Sequence, residues 1–144
     1  MEISINSINE LNRFASKLSG KLKPGAVILL VGEMGSGKTS FVQAFAKSLG
    51  INEFVKSPTF IIHNEYNSKN GLKIHHLDLY RLTGSQELNE LKITDSLTAN
   101  SYIFIEWADK FEKELTGLFP NIKKYKLEFK IVDENRRLVE LTEL

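Results

Sequence analysis

The chain has 144 residues, a formal net charge of +1, 42% apolar residues and no cysteine. That length suffices for one domain with its own core, and the missing thiols exclude disulfides and thiolate metal sites. The near-zero charge gives no global electrostatic case for binding nucleic acid or a membrane surface.

Ile3 and Ile5 alternate with polar residues, which predicts a short opening strand. Ser7 and Glu10 form a capping-box pair, and Ile8, Leu11, Ala15 and Leu18 then recur at helical spacing. Gly20 and the Lys23-Pro24-Gly25 turn are expected to end that helix. The run Ala26-Val27-Ile28-Leu29-Leu30-Val31 is apolar on both sides, as a central strand of a parallel sheet is. A glycine-rich loop follows. Phe41, Val42, Phe45 and Leu49 then mark one face of a second helix stopped by Gly50.

Phe60-Ile61-Ile62 and residues 72–79, separated by the turn-like Asn67-Ser68-Lys69-Asn70-Gly71, read as a β-hairpin. Residues 85–91 predict a short helix, and Tyr102-Ile103-Phe104-Ile105 a second buried strand ending at Glu106. A short helix is expected over residues 111–115, before Pro120. Tyr125, Leu127, Phe129 and Ile131 alternate as a strand, Asp133-Glu134-Asn135 turns the chain, and residues 138–141 return as a last strand. The expected architecture is a single α/β domain over residues 1–144, a P-loop-type three-layer sandwich. Its mixed sheet has a parallel centre and added antiparallel hairpins. The opening residues lack a basic region followed by an apolar run, so no secretory signal is expected. No apolar stretch reaches the roughly 18 residues of a membrane span.

Gly32-Glu33-Met34-Gly35-Ser36-Gly37-Lys38-Thr39 satisfies every fixed position of G-x-x-x-x-G-K-[ST], between a buried strand and an amphipathic helix. The three glycines let the backbone curl so that successive N–H groups face a phosphate, and the following helix adds its free N–H groups. Lys38 is expected to bridge the β- and γ-phosphates, and Thr39 to offer its hydroxyl to Mg²⁺. Such a site needs an acid at a neighbouring strand end. Glu106 follows four apolar residues and fits best. Asp78 is the second candidate, on a strand whose two histidines argue against full burial. Ser57-Pro58-Thr59 stands where a switch segment would reach the γ-phosphate, with Thr59 towards the metal or the attacking water. His63, His75 and His76 are expected to be solvent-facing or hydrogen-bonded, since neighbours on a strand point to opposite faces. Trp107 reads as a partly buried ring or as a cover for the nucleotide.

No guanine-reading Asn-Lys-x-Asp segment occurs, which favours ATP. Four arginines, Arg13, Arg81, Arg136 and Arg137, are few for a kinase lid, which favours hydrolysis over transfer to a small acceptor. With no obvious arginine finger, that hydrolysis is expected to be slow without a partner. A nucleotide-gated docking protein and a small P-loop kinase are the alternative readings.

The loop at residues 32–39, Val55-Lys56-Ser57-Pro58-Thr59-Phe60, His76-Leu77-Asp78-Leu79-Tyr80-Arg81-Leu82, Glu87-Leu88 and Ile105-Glu106-Trp107 together resemble the TsaE (YjeE) family across nearly the whole chain. The resemblance implies a cytoplasmic Mg²⁺-dependent ATPase of tRNA threonylcarbamoyladenosine formation. It also implies action with TsaB and TsaD, tRNA reached through that complex and no membrane. It makes Lys38, Thr59, Asp78 and Glu106 catalytic, with Thr39, Asp78 and Glu106 towards the metal. Residues 32–40, including Glu33, Met34, Ser36 and Ser40, would line the nucleotide together with Trp107, and the base would lie between Ile8 and Arg136. Two departures fall in the loop: Glu33-Met34 stands for the commoner Asp-Leu, and Ser40 for a second threonine.

Overall fold

A computed structural model describes residues 1–53 and 63–144. The expected strand Phe60-Ile61-Ile62 and the Ser57-Pro58-Thr59 segment lie outside the described residues. The first strand, β1 (Glu2–Ile5), leads into α1 (Ile8–Lys21). Ser7 Oγ caps α1 by accepting from Glu10 N at 3.1 Å, and the Glu10 carboxylate reaches back to accept from Asn6 N. The box therefore closes one residue earlier than a simple reciprocal pair. Gly20 stays inside α1; the chain leaves the helix at Leu22, whose extended backbone breaks the ladder.

Seven strands make one sheet in the order β1-β7-β6-β2-β5-β4-β3. The centre is parallel: β2 (Ala26–Gly32) lies between β5 (Ser101–Glu106) and β6 (Lys124–Ile131), and β4 (Lys73–Asp78) flanks β5. Antiparallel pairs close both sides. β3 (His63–Asn67) runs against β4, β7 (Arg137–Glu143) against β6, and β1 against β7. The mixed α/β sandwich predicted from the pattern is the observed fold. The apolarity of β2 on both sides has its cause here. Ile28 and Leu30 face α1 and α2 (Lys38–Ser48), while Val27 and Leu29 face α3 (Ser85–Glu90), α4 (Glu112–Leu118) and the 3₁₀ turns Ile93–Ser96 and Ala108–Phe111.

Phe41 locks α2 to the sheet. Its ring lies 5.8–6.2 Å from those of Phe14, Phe45, Phe104 and Phe129. Each such pair adds about 0.5–1.5 kcal/mol beyond its buried area, so the start of α2 rests on a rigid platform.

One expectation is corrected. β4 is buried from Ile74 to Asp78 despite its two histidines. Each imidazole has a polar partner: His75 Nδ1 lies 2.9 Å from His63 Nε2, and His76 Nε2 lies 2.5 Å from Glu106 Oε2. Pairing removes most of the cost of taking a polar ring out of water. The helix expected at residues 111–115 begins as a 3₁₀ turn at Ala108 and runs to Leu118, and the last strand is longer than residues 138–141 at both ends. Among the described residues no helix is long and apolar enough to cross a membrane.

Candidate nucleotide site at the strand ends

The loop between β2 and α2 owes its shape to glycine. Gly32, Gly35 and Gly37 have φ of +155°, +80° and +111°. A Cβ on Gly32 would stand 2.7 Å from both Phe129 O and Ser36 Oγ, so the close approach of loop and β6 requires glycine there. Gly37 caps α2 without a side-chain hydrogen bond. The helical ladder opens with Phe41 N donating to Gly37 O at 2.9 Å, so the N–H groups of Lys38, Thr39 and Ser40 precede it. Inside the loop, Ser36 Oγ is fully buried with no hydrogen-bond partner among the described residues. N–H groups ahead of the helical ladder at a glycine turn fit a phosphate group. Glu33 and Met34 are both exposed, Met34 at 73%, and Met34 also lines the cleft beside Asp78 and Glu106.

Two acids meet at the ends of β4 and β5, where Asp78 and Glu106 are register neighbours. β5 adjoins the loop strand and β4 lies one strand beyond, so sheet order brings together residues far apart in sequence. Thr39 Oγ1 donates to Glu106 Oε2 at 3.0 Å, and Tyr80 N donates to Asp78 Oδ1 at 2.8 Å. Both carboxylates are buried. Among the described residues no three acidic or histidine side chains form a metal cage. Mg²⁺ does not need one, since it takes one or two carboxylates beside phosphate oxygens and water. The Thr39 hydroxyl and the acid pair fit that requirement.

The Lys38 ammonium, 5% exposed, donates to Gly32 O and lies 3.9 Å from the centre of the Trp107 ring. Burial pushes Lys38 below the ordinary lysine value, and the charges of Glu106, Asp78 and Asp109 oppose that shift. Trp107 is held in the left-handed region (φ +59°), with its ring 5.0 Å from that of Tyr80. Lys38, Thr39, Ser40, Asp78, Glu106 and Trp107 share the wall of a cleft of about 340 Å³ with the loop residues Met34, Gly35 and Gly37 and with Tyr80 and Arg81.

Burial also pushes the Asp78 carboxyl above the usual carboxylate range, with the Glu106 charge adding to it, against the pull of the Tyr80 N–H and Lys38. A carboxyl raised in the folded state binds its proton more tightly there than in the unfolded chain. Stability therefore falls as pH climbs from the unfolded value, about 3.9, through the raised folded one. Asp78→Asn keeps an acceptor for Tyr80 N and removes the buried charge. The nucleotide-free variant is expected to melt above the parent at neutral pH, with the gap closing on acidification; thermal scans against pH check this.

A second cleft, of about 290 Å³, lies on the other side of the loop and shares Gly35, Gly37 and Ser40 with the first. Ile8, 61% exposed at the start of α1, lines it. Arg136 does not: its Nε donates to Asp133 Oδ2 at 2.6 Å across the β6–β7 turn. Arg137 does, and its guanidinium donates to Gly35 O at 3.3 Å. Both arginines brace the turn through Asp133, and Arg137 also reaches the loop. The site residues missed by sequence reasoning are His76, Tyr80, Arg81 and Arg137. His76 alone carried a signal, because period two places it on the face of Asp78. Thr59 lies outside the described residues.

Residues 5–139 match the family model described as Threonylcarbamoyl adenosine biosynthesis protein TsaE. The chain belongs to the TsaE family. It is 37% identical over 135 residues to a TsaE protein of Rickettsia felis, covering 93% of this chain and 75% of that protein. With the TsaE protein of Borreliella burgdorferi it shares 36% over 144 residues, 98% of each chain. The crystal structure of Bacillus subtilis YdiB superposes with a TM-score of 0.73 at 27% identity, covering 99% of this chain and 84% of that one. The TsaE fold thus extends over the loop, both acid-bearing strands and the β6–β7 hairpin.

Proposed function

We propose that this TsaE-family chain binds ATP with Mg²⁺ across the loop and hydrolyses it within tRNA threonylcarbamoyladenosine biosynthesis. In this reading it is cytoplasmic, acts with TsaB and TsaD homologues, and reaches tRNA through them. The observation that carries the nucleotide reading is the convergence of Thr39, Glu106 and Asp78 beside the glycine turn that opens α2. The family name and the relatives' names support the pathway.

In this mechanism the loop N–H groups hold the phosphate oxygens and Lys38 neutralises the terminal phosphates. Thr39, Asp78 and Glu106 would be the oxygen donors holding Mg²⁺, which would supply neutralisation of the phosphate charge. Thr59 is proposed to approach the γ-phosphate. Lys38 and Arg81 are the cations lining the phosphate cleft among the described residues. That supply of positive charge is small for a phosphoryl-transfer transition state, which supports slow hydrolysis by the chain alone. Trp107 is the single tryptophan, and Lys38 touches its ring. Its emission should therefore change saturably as ATP and Mg²⁺ draw the ammonium to phosphate. Free phosphate should form slowly and accelerate when TsaB and TsaD homologues are added. A flat titration with and without those partners would overturn the reading.

The base is assigned to the second cleft, between Ile8 and Arg137, whose planar cation suits an adenine face. Arg137→Ala is expected to weaken ATP binding by about 5- to 10-fold, on the order of 1 kcal/mol. Arg136→Ala removes only a solvent-exposed pair with Asp133 and should leave affinity within about 2-fold. Parallel titrations of the two variants check the assignment.

A further inference from the structure

His76 has no exposed surface, and among the described residues its one polar contact is to Glu106. Glu106 Oε2 takes two donors' worth of contact: Thr39 Oγ1 at 3.0 Å from α2, and His76 Nε2 at 2.5 Å from β4. Oε1 of the same carboxylate takes no hydrogen bond among the described residues, although Glu106 lines the cleft. His76 Nδ1 likewise has no hydrogen-bond partner among the described residues. A leucine would fill this space without burying an orphaned nitrogen. The imidazole is costly as packing alone, and what it adds over a hydrocarbon is the contact to the carboxylate.

We propose that His76 is a positioning residue for the cation site. It holds Oε2 from β4 while Thr39 holds it from α2, which fixes the rotamer of Glu106. The pinned carboxylate in turn holds the Thr39 hydroxyl hydrogen, so the oxygen lone pairs of Thr39 and Glu106 Oε1 are the acceptors left for a hydrated divalent cation. Without the histidine, Glu106 is tethered by Thr39 alone, and the two oxygen donors lose their common orientation. Partners of this kind behind a liganding carboxylate typically change metal affinity by about 10- to 100-fold. The inference rests on the Mg²⁺-nucleotide reading of the cleft and adds a residue to it.

The test uses ADP, which is not turned over, and follows Trp107 emission in Mg²⁺ and in EDTA. The quantity read is the gain in ADP affinity on adding Mg²⁺. His76→Leu and His76→Asn are expected to lose at least about 10-fold of that gain, while ADP affinity in EDTA stays close to the parent's. His76→Gln, whose longer amide carries a nitrogen to the place of Nε2, is expected to recover most of it. If His76→Leu does not fold, the comparison of asparagine with glutamine carries the test. A parental Mg²⁺ gain in the leucine and asparagine variants would overturn the proposal. So would a glutamine variant that folds and fails as fully as asparagine, because the ring would then matter only as packing. A parent protein that binds no ADP in either buffer would remove the nucleotide reading itself, and this inference with it.

Discussion

Lys38→Ala is expected to weaken Mg²⁺-ATP binding on the order of 100-fold, about 3 kcal/mol, with phosphate release falling in step. A hydrogen bond to a charged group contributes about 1.5–3 kcal/mol, and an ammonium between two phosphates makes more than one. The loss is compounded locally, because Asp78 and Glu106 line the same cleft and would face the phosphates without the cation between them. Lys38→Arg should rescue little. The ammonium contacts Gly32 O and the Trp107 face as a compact point charge, which a planar, delocalised guanidinium does not reproduce. Equilibrium dialysis with labelled nucleotide measures the effect, because the Trp107 signal itself depends on the Lys38 ammonium, and thermal scans show whether the variants fold. Affinity unchanged from the parent would remove Lys38 from the phosphate contact.

Gly32→Ala is expected to lower stability by roughly 2–4 kcal/mol, combining backbone strain with overpacking. The new Cβ would lie 2.7 Å from Phe129 O and 3.1 Å from Phe129 Cβ, at a φ of +155°. Phe129 has little room to retreat, since it pairs with Gly32 and Val139 in the sheet and its ring packs on Phe41. Gly35→Ala is the contrast: its Cβ meets nothing within 4 Å, and the positive φ of +80° alone opposes it. Its expected cost is about 1–2 kcal/mol. Thermal unfolding of the two variants separates close contact from backbone strain. ATP titration should show Gly32→Ala as the worse binder, because a shifted loop misdirects its amides.

Much of the site was legible because its chemistry is contiguous. Residues 32–39 carry the glycines, the lysine and the hydroxyl in one stretch, and phosphate binding by backbone N–H groups depends on local φ, which glycine spacing encodes directly. The β2 core strand, the α1 capping box and the β6–β7 alternation are likewise local patterns of burial and hydrogen bonding. The acids were legible as strand ends. What they touch was not, because the order β2-β5-β4 and the pairing of Asp78 with Glu106 are long-range choices of sheet topology.

The histidines mark the boundary between the two kinds of information. By residue type alone, two adjacent imidazoles argue against a buried strand. Tertiary pairing reverses the argument, since His63 and Glu106 supply the partners that make burial of His75 and His76 tolerable. Arg136 and Arg137 differ for the same reason: both close on Asp133, and only the turn geometry decides which of them also reaches Gly35. The amino-acid order by itself determined the glycine-rich loop, the α/β layering and the TsaE resemblance, because each depends on neighbours in the chain. The orientation of Glu106, the role left to His76 and the arginine at the second cleft were decided by tertiary structure, because side chains from strands and helices distant in sequence must meet before any of them has a partner.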